Sequence, residues 1–394
     1  MRERLRRLPL ILAFFLPLSL AVLICILHGI YPFGDSCLLQ IDMFHQYCPF
    51  SIEMMEKLQN GGSFFYSWKL GLGSDYISHF AYYLASPFNW LLVFCSRDFI
   101  IEFMSVLILL KIGFCGLTFA AYLRRHFKSN HILIAVFGTA YALSGYMAAY
   151  SWNVMWLDCI VLAPLIIMGL EQLVKEGKSG LYYITLALSV LSNYYISFLI
   201  CMFLVFWFLI TWVGSREASI RAFLRFALYS LLAGGTGAVF MIPEAVILGY
   251  SGSQGISFPE QIKWYFNLID QGARHAFLTD IYTGTSHWPN LYCGVFVFCF
   301  VILYALNGKI KLKERILKLL LFVFFFLSFA NNILDFIWHG FHFPDSLPGR
   351  QSFLYIFFLL TLSFEAFLLI RENKLWHFAV AAVLNAVFWA VAYK

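Results

Sequence analysis

Tyr31-Pro32-Phe33-Gly34-Asp35-Ser36 is followed closely by Asp42, Gln46-Tyr47 and Pro49-Phe50, all just beyond a long apolar segment. A carboxylate is costly to bury in hydrocarbon, so acids in such a place face water, a partner or a substrate. Asp35 and Asp42 suit a general base held near a reacting hydroxyl, or a site for a divalent cation. Other chemistry-bearing residues recur along the chain: His45, Trp68, His79, Asn153 and Asp158; then Asn193-Tyr194-Tyr195, Glu244 behind Pro243, His339, His342 and Arg350. Arg350 offers a planar, permanently charged fork for phosphate oxygens. The aromatic residues suit a sugar face or a prenyl chain, and Gly34, Gly71 and Gly73 permit tight turns.

Each of these residues has a plainer role open to it. Asp35, Asn153 and Asp158 could cap helices. Asn193-Tyr194-Tyr195 could be a turn with an interfacial anchor, and Glu244 a snorkelling surface acid. Lys111, near the middle of a span, is the most costly charge in the chain and calls for a partner such as Glu102 or another buried acid. Cys37 and Cys48 share a loop and read as unpaired small residues.

The elements that must position these groups are membrane helices. Of the 394 residues, 61% are hydrophobic, 20% aromatic and only 12% charged, against roughly 25% charged in a soluble domain. Apolar segments near the ~20 residues needed to span a bilayer fall at 8–29, 99–123, 132–150, 154–173, 180–193, 196–213, 221–247, 291–307, 316–333, 352–370 and 375–393. The expected fold is an all-α polytopic bundle of about eleven transmembrane helices in a single domain. The net charge of +6 sits in short runs between these segments, which is loop bias toward the cytoplasm rather than a nucleic-acid footprint.

Arg124-Arg125, Lys175 to Lys178, Arg216 to Arg225, Lys309 to Lys318 and Arg371 to Lys374 are basic connectors, and the positive-inside rule places them, with the N-terminus, in the cytoplasm. Residues 80–95 are apolar but short and carry Ser86-Pro87 and Asn89. They read as an interfacial helix, so that 31–98 form a long first outer loop that is partly helical. Residues 249–290, interrupted by Gly252 and Gly255, and 331–351 are the further outer loops. On this topology the candidate residues share the outer face.

The combination of Tyr31 to Asp35, Asp42 with Gln46-Tyr47, Tyr66-Ser67-Trp68 with Gly71-Leu72-Gly73, Tyr82 to Asn89, Asn153 to Asp158 and Asn193-Tyr194-Tyr195 resembles the bacterial YfhO family. That resemblance implies a GT-C type glycosyltransferase in the bacterial cytoplasmic membrane. Such an enzyme takes a sugar from a polyprenyl-phosphate donor and passes it to an acceptor such as lipoteichoic acid, another wall polymer or a glycolipid. It implies catalytic roles for Asp35 and Asp42 and a lipid-phosphate contact for Arg350. Gln46, Trp68, Asn153, Asp158, Tyr194, Glu244 and His342 are then expected to line the substrate site. A divalent cation could assist, and the membrane lipid is the other expected partner. Family members commonly run longer, with an extracytoplasmic C-terminal part expected to be absent from these 394 residues. A transporter or flippase of a lipid-linked precursor is the alternative. Transporters show internal repeats and broken spans meeting at the midplane, whereas the polar residues here gather at one face. A non-catalytic scaffold of a wall-synthesis complex is a third reading.

Overall fold

A computed structural model of the chain describes residues 2–215, 219–250 and 258–392; Arg216, Gly252 and Gly255 lie outside the described residues. The helices in chain order are α1 (Arg2–Leu27), α2 (Cys48–Asn60), α3 (Ile77–His79), α4 (Ile100–His126), α5 (Leu133–Ala142), α6 (Gly145–Tyr150), α7 (Val154–Glu176), α8 (Gly180–Ser192) and α9 (Tyr194–Gly214). They continue with α10 (Ile220–Leu248), α11 (Leu268–Ala273), α12 (Val297–Leu306), α13 (Leu312–Ser328), α14 (Asn332–Trp338), α15 (Ser352–Leu368) and α16 (Leu375–Ala392). Strands β1 (Tyr66–Ser67) and β2 (Ser74–Asp75) form one small antiparallel hairpin.

Among the described residues, seven helical stretches are long and apolar enough to cross a membrane: Arg7–Leu27, Arg97–His126, Leu133–Tyr150, Val154–Glu176, Tyr194–Gly214, Ile220–Leu248 and Leu375–Ala392. The chain is therefore an all-α polytopic membrane protein. All eleven apolar segments become helical, but the helices α8, α12, α13 and α15 fall short of a full span. The thirteen residues of α8 reach only about 20 Å at ~1.5 Å per residue, against a hydrocarbon core of ~30 Å. α12 starts only at Val297, because the chain just before it bonds to the α5–α6 break: the Gly145 amide donates to the Tyr292 carbonyl at 2.7 Å. α13 opens on Lys313, Glu314, Arg315 and Lys318, which interrupt its apolar face.

α4 and α7 are the centre of the first half, with α1 and α5 on α4 and α8 and α9 on α7; α15 packs against α12 and α5. Every residue of α15 from Ser352 to Phe364 is buried, as expected of a helix apolar all round. α10 and α16 bury only a small share of their apolar faces, and the exposed leucines Leu224, Leu228 and Leu231 on α10 suit contact with lipid.

Residues 80–95 form a π-helix at Phe80–Leu84 and a 3₁₀ helix at Pro87–Phe94, with Ser86 Oγ capping the second. Eight residues at about 2.0 Å rise cover about 16 Å, so neither piece can cross the membrane.

Close approach of α1, α4 and α5 depends on glycine. A Cβ on Gly116 would overlap the Ala13 carbonyl oxygen, and one on Gly138 would meet the Gly116 carbonyl at 2.6 Å. Small residues at such crossings let backbones touch. Gly116→Leu is expected to lower stability by at least about 1–3 kcal/mol through overpacking. Gly234→Leu on α10, where nothing lies within 4 Å, is expected to leave stability unchanged. Thermal unfolding of the two purified variants in detergent distinguishes them.

Candidate functional site

Arg350 ends a loop whose backbone is fixed from outside. The Leu347 amide donates to the Thr283 carbonyl at 3.0 Å, and the Tyr150 hydroxyl donates to the Pro348 carbonyl at 2.7 Å. Within this loop Arg350 Nε donates to Leu347 O at 3.0 Å and Nη2 to Ser346 O at 3.1 Å. The guanidinium lies 5.2 Å from the ring centre of Tyr195 and 5.5 Å from that of Trp156, close enough for cation–π attraction. Among the described residues no carboxylate pairs with it. A mostly buried cation without a counter-ion is costly.

Asp42 approaches from the first loop. It precedes the π-helix Met43–Tyr47, yet its side chain makes no capping bond. Its half-buried carboxylate has no hydrogen-bond or ion-pair partner among the described residues. Tyr47 links it to the arginine, because both charges act on the Tyr47 hydroxyl. Burial first, and then Tyr82, Tyr83 and Asp42, hold that phenol well above the usual range against the opposing Arg350 charge. Tyr47 therefore stays protonated and donates to Asn153 Oδ1 at 2.9 Å. Asn153 does not cap α7, and its buried Nδ2 has no partner.

The start of α9 and the end of α10 bring in a further polar cluster. Asn193 caps α9 by accepting from the Ile196 amide at 2.9 Å and donates from Nδ2 to the Tyr82 carbonyl at 3.0 Å. The asparagine thus ties the 80–84 helix to the bundle. The Tyr194 hydroxyl donates to Glu244 Oε1 at 2.8 Å, while Glu244 Oε2 is buried without a partner. Burial, helped by Tyr82, Asp42 and Glu244, pushes the Tyr83 phenol up to about 12, so it too is a neutral donor at pH 7.

His342 has its ring 6.2 Å from Tyr195 and 6.5 Å from His339. Burial, then His339 and Arg350, lower its pKa below the usual histidine value, so the ring is neutral at pH 7. Behind it, His339 Nδ1 contacts Asp335 Oδ1 at 3.0 Å, and the Tyr265 hydroxyl donates to Asp335 Oδ2 at 3.0 Å. A cavity of about 530 Å³ beside this cluster is lined by Lys263, Tyr265, His287 and Asn332 among others.

Several expected site residues lie elsewhere. Asp35 is exposed on a turn in which Gly34 has no room for a side chain beside the Gly29 backbone, and it starts no helix. It lines a separate cavity of about 510 Å³ with Glu102. Trp68 is 78% exposed on the β1–β2 hairpin, and Gln46 is exposed on the π-helix, because the apolar faces of both elements are filled by neighbours. Asp158 is not a surface residue of the site: its Oδ2 pairs with Lys111 Nζ at 2.7 Å, both side chains fully enclosed. Lys111 also donates to the Val154 carbonyl at 3.1 Å. It is this pair, rather than Glu102, that neutralises the mid-span lysine. Cys37 and Cys48 are both free. Among the described residues no three His, Cys, Asp or Glu side chains gather as a metal site.

Asp335, Tyr265 and His287 were not singled out from the sequence. The signal was the helical spacing of Asp335 and His339, since side chains four residues apart meet on one helix face.

The family model described as bacterial membrane protein YfhO matches residues 13–394. An uncharacterized protein YfhO of Bacillus subtilis (strain 168) is 22% identical over 229 residues, which is 52% of this chain and 25% of that relative. The chain thus matches about a quarter of the relative's length. No solved structure matches it.

Proposed function

Because the chain belongs to the YfhO family of bacterial membrane proteins, we propose that it is a membrane glycosyltransferase of the GT-C type. In this reading it works in the cytoplasmic membrane with its site outward, moving a sugar from a polyprenyl-phosphate donor to lipoteichoic acid or another surface acceptor. The observation that carries the proposal is Arg350, an unpaired cation caged by Trp156 and Tyr195, with the unpartnered carboxylate of Asp42 acting on the same tyrosine.

The chemistry then divides between the two charges. Asp42 takes the proton of the acceptor hydroxyl as its oxygen attacks the anomeric carbon, and the bond from that carbon to the phosphate oxygen breaks with inversion. Negative charge collects on the departing prenyl phosphate, where the Arg350 guanidinium offsets it. The neutral phenols of Tyr47 and Tyr83 can donate to sugar hydroxyls. An apolar groove of about 260 Å³ between Phe80, Pro87, Trp90, Leu188 and Phe240 supports a place for the prenyl tail.

A guanidinium can hold two phosphate oxygens, whereas an ammonium acts as a point charge. Arg350→Lys is therefore expected to raise the apparent donor KM, and Arg350→Ala to raise it further, in a transfer assay titrating the donor at fixed acceptor. An unchanged donor dependence in Arg350→Ala would move the phosphate contact elsewhere, with Lys263 and Arg274 as the next cations on the same loops.

A further inference from the structure

A cavity lies toward the other end of α7, where the proposed transfer chemistry has no use for it. It measures about 700 Å³. Glu171 and Lys175 in its wall stand near the end of α7, roughly 22 Å and 28 Å along the helix from Trp156 at ~1.5 Å per residue. The lining is basic: Arg124, Arg125 and His126 form the last turn of α4, Lys128 follows it, and Lys175 comes from α7. Part of this charge is spent internally. Arg125 pairs with Glu176, Lys175 with Glu171 at 3.2 Å, and His126 Nδ1 lies 2.7 Å from Glu171. Trp207 Nε1 also donates to Glu171 at 3.0 Å, so that acid is fully occupied.

Arg124 and Lys128 are different. Neither makes a hydrogen bond or ion pair among the described residues, and both line the cavity, Arg124 half-buried and Lys128 exposed. Lys128 holds a left-handed backbone with φ of 50°, a strained conformation for a non-glycine residue. Basic residues at helix C-termini commonly offset the helix dipole, but that role needs no cavity, and here they surround one. The floor is apolar, made by Leu10, Ala121 and Met168.

We propose that this cavity binds the phosphate-bearing head group of an anionic lipid, with Arg124 and Lys128 on the phosphate and the start of the acyl chain against Leu10 and Met168. A free phosphate would use the same cations but would leave the apolar floor bare, which favours the lipid. Basic pockets between membrane helices recognise anionic head groups in this way. The inference does not depend on the transferase reading, and its test involves no sugar transfer.

The test uses the purified full chain, stripped of lipid in neutral detergent. Phosphatidylglycerol, phosphatidylcholine or inorganic phosphate is added, and lipid retention is read by native mass spectrometry beside thermal unfolding. Phosphatidylglycerol is expected to be retained and to raise the unfolding temperature, while phosphatidylcholine and inorganic phosphate do neither. The double variant Arg124→Gln with Lys128→Gln should bind phosphatidylglycerol at least about tenfold more weakly. A control, Arg371→Gln with Lys374→Gln on another basic connector, should bind it like the parent. Equal retention of the two lipids by the unmodified chain would overturn the proposal, and this arm needs no variant to fold. Parent-like binding in the double variant, an equal loss in the control, or an equal response to inorganic phosphate would each overturn it as well.

Discussion

Asp42→Asn is expected to lower sugar transfer by about a hundredfold or more, the usual scale for removing a general base. The amide keeps the shape of the side chain but cannot take the acceptor proton. The carboxylate is half-buried and makes no bond that holds the fold together, so the variant should insert and unfold like the parent. Asp35→Asn is the matched comparison. Its carboxylate lines a separate cavity with Glu102, and transfer should stay within a few-fold of the parent. Steady-state rates for both variants, at saturating donor and acceptor, provide the check. A large loss in Asp35→Asn with full activity in Asp42→Asn would reassign the base, and full activity in both would remove the carboxylate mechanism.

The second large effect is on stability. Lys111 and Asp158 are enclosed in the middle of the bundle, 2.7 Å apart. Lys111→Met leaves a buried carboxylate without its cation, a loss of about 3–5 kcal/mol by analogy with other broken buried pairs. Asp158→Leu strands the lysine in the same way. Replacing both together should recover most of the loss, because two apolar side chains impose no desolvation cost. Thermal unfolding of the two single variants and the double variant measures the coupling. If Asp158→Leu kept parent stability but lost transfer, Asp158 would return to the substrate site.

The membrane segments were legible in the sequence because span length and apolarity are local properties. Each apolar segment became helical, but α8, α12, α13 and α15 fell short of the spans expected for them. What stayed hidden depends on distant partners. α12 begins late because Gly145, on another helix, takes the Tyr292 carbonyl, and no periodicity within 291–307 reports that bond.

Site residues follow the same division. Arg350 stood out by its charge beside an apolar span, and Asn193 by its turn-forming neighbours. The proposed preference for Asp42 over Asp35 rests on the charges of Asp42 and Arg350 both acting on Tyr47, although Arg350 is far along the chain. Asp158 looked like a surface acid beside Trp156, yet one further turn into α7 carries it beneath the surface to Lys111. Trp68 looked like a sugar platform, but it is 78% exposed on the β1–β2 hairpin.

A structure of the protein with a polyprenyl phosphate bound would test this reading most directly. The phosphate should lie against the Arg350 guanidinium between Trp156 and Tyr195, with Asp42 free to face an acceptor and the tail leaving past Phe80 and Trp90. A phosphate seated away from Arg350, against Lys263 or beside Asp35 and Glu102, would contradict it.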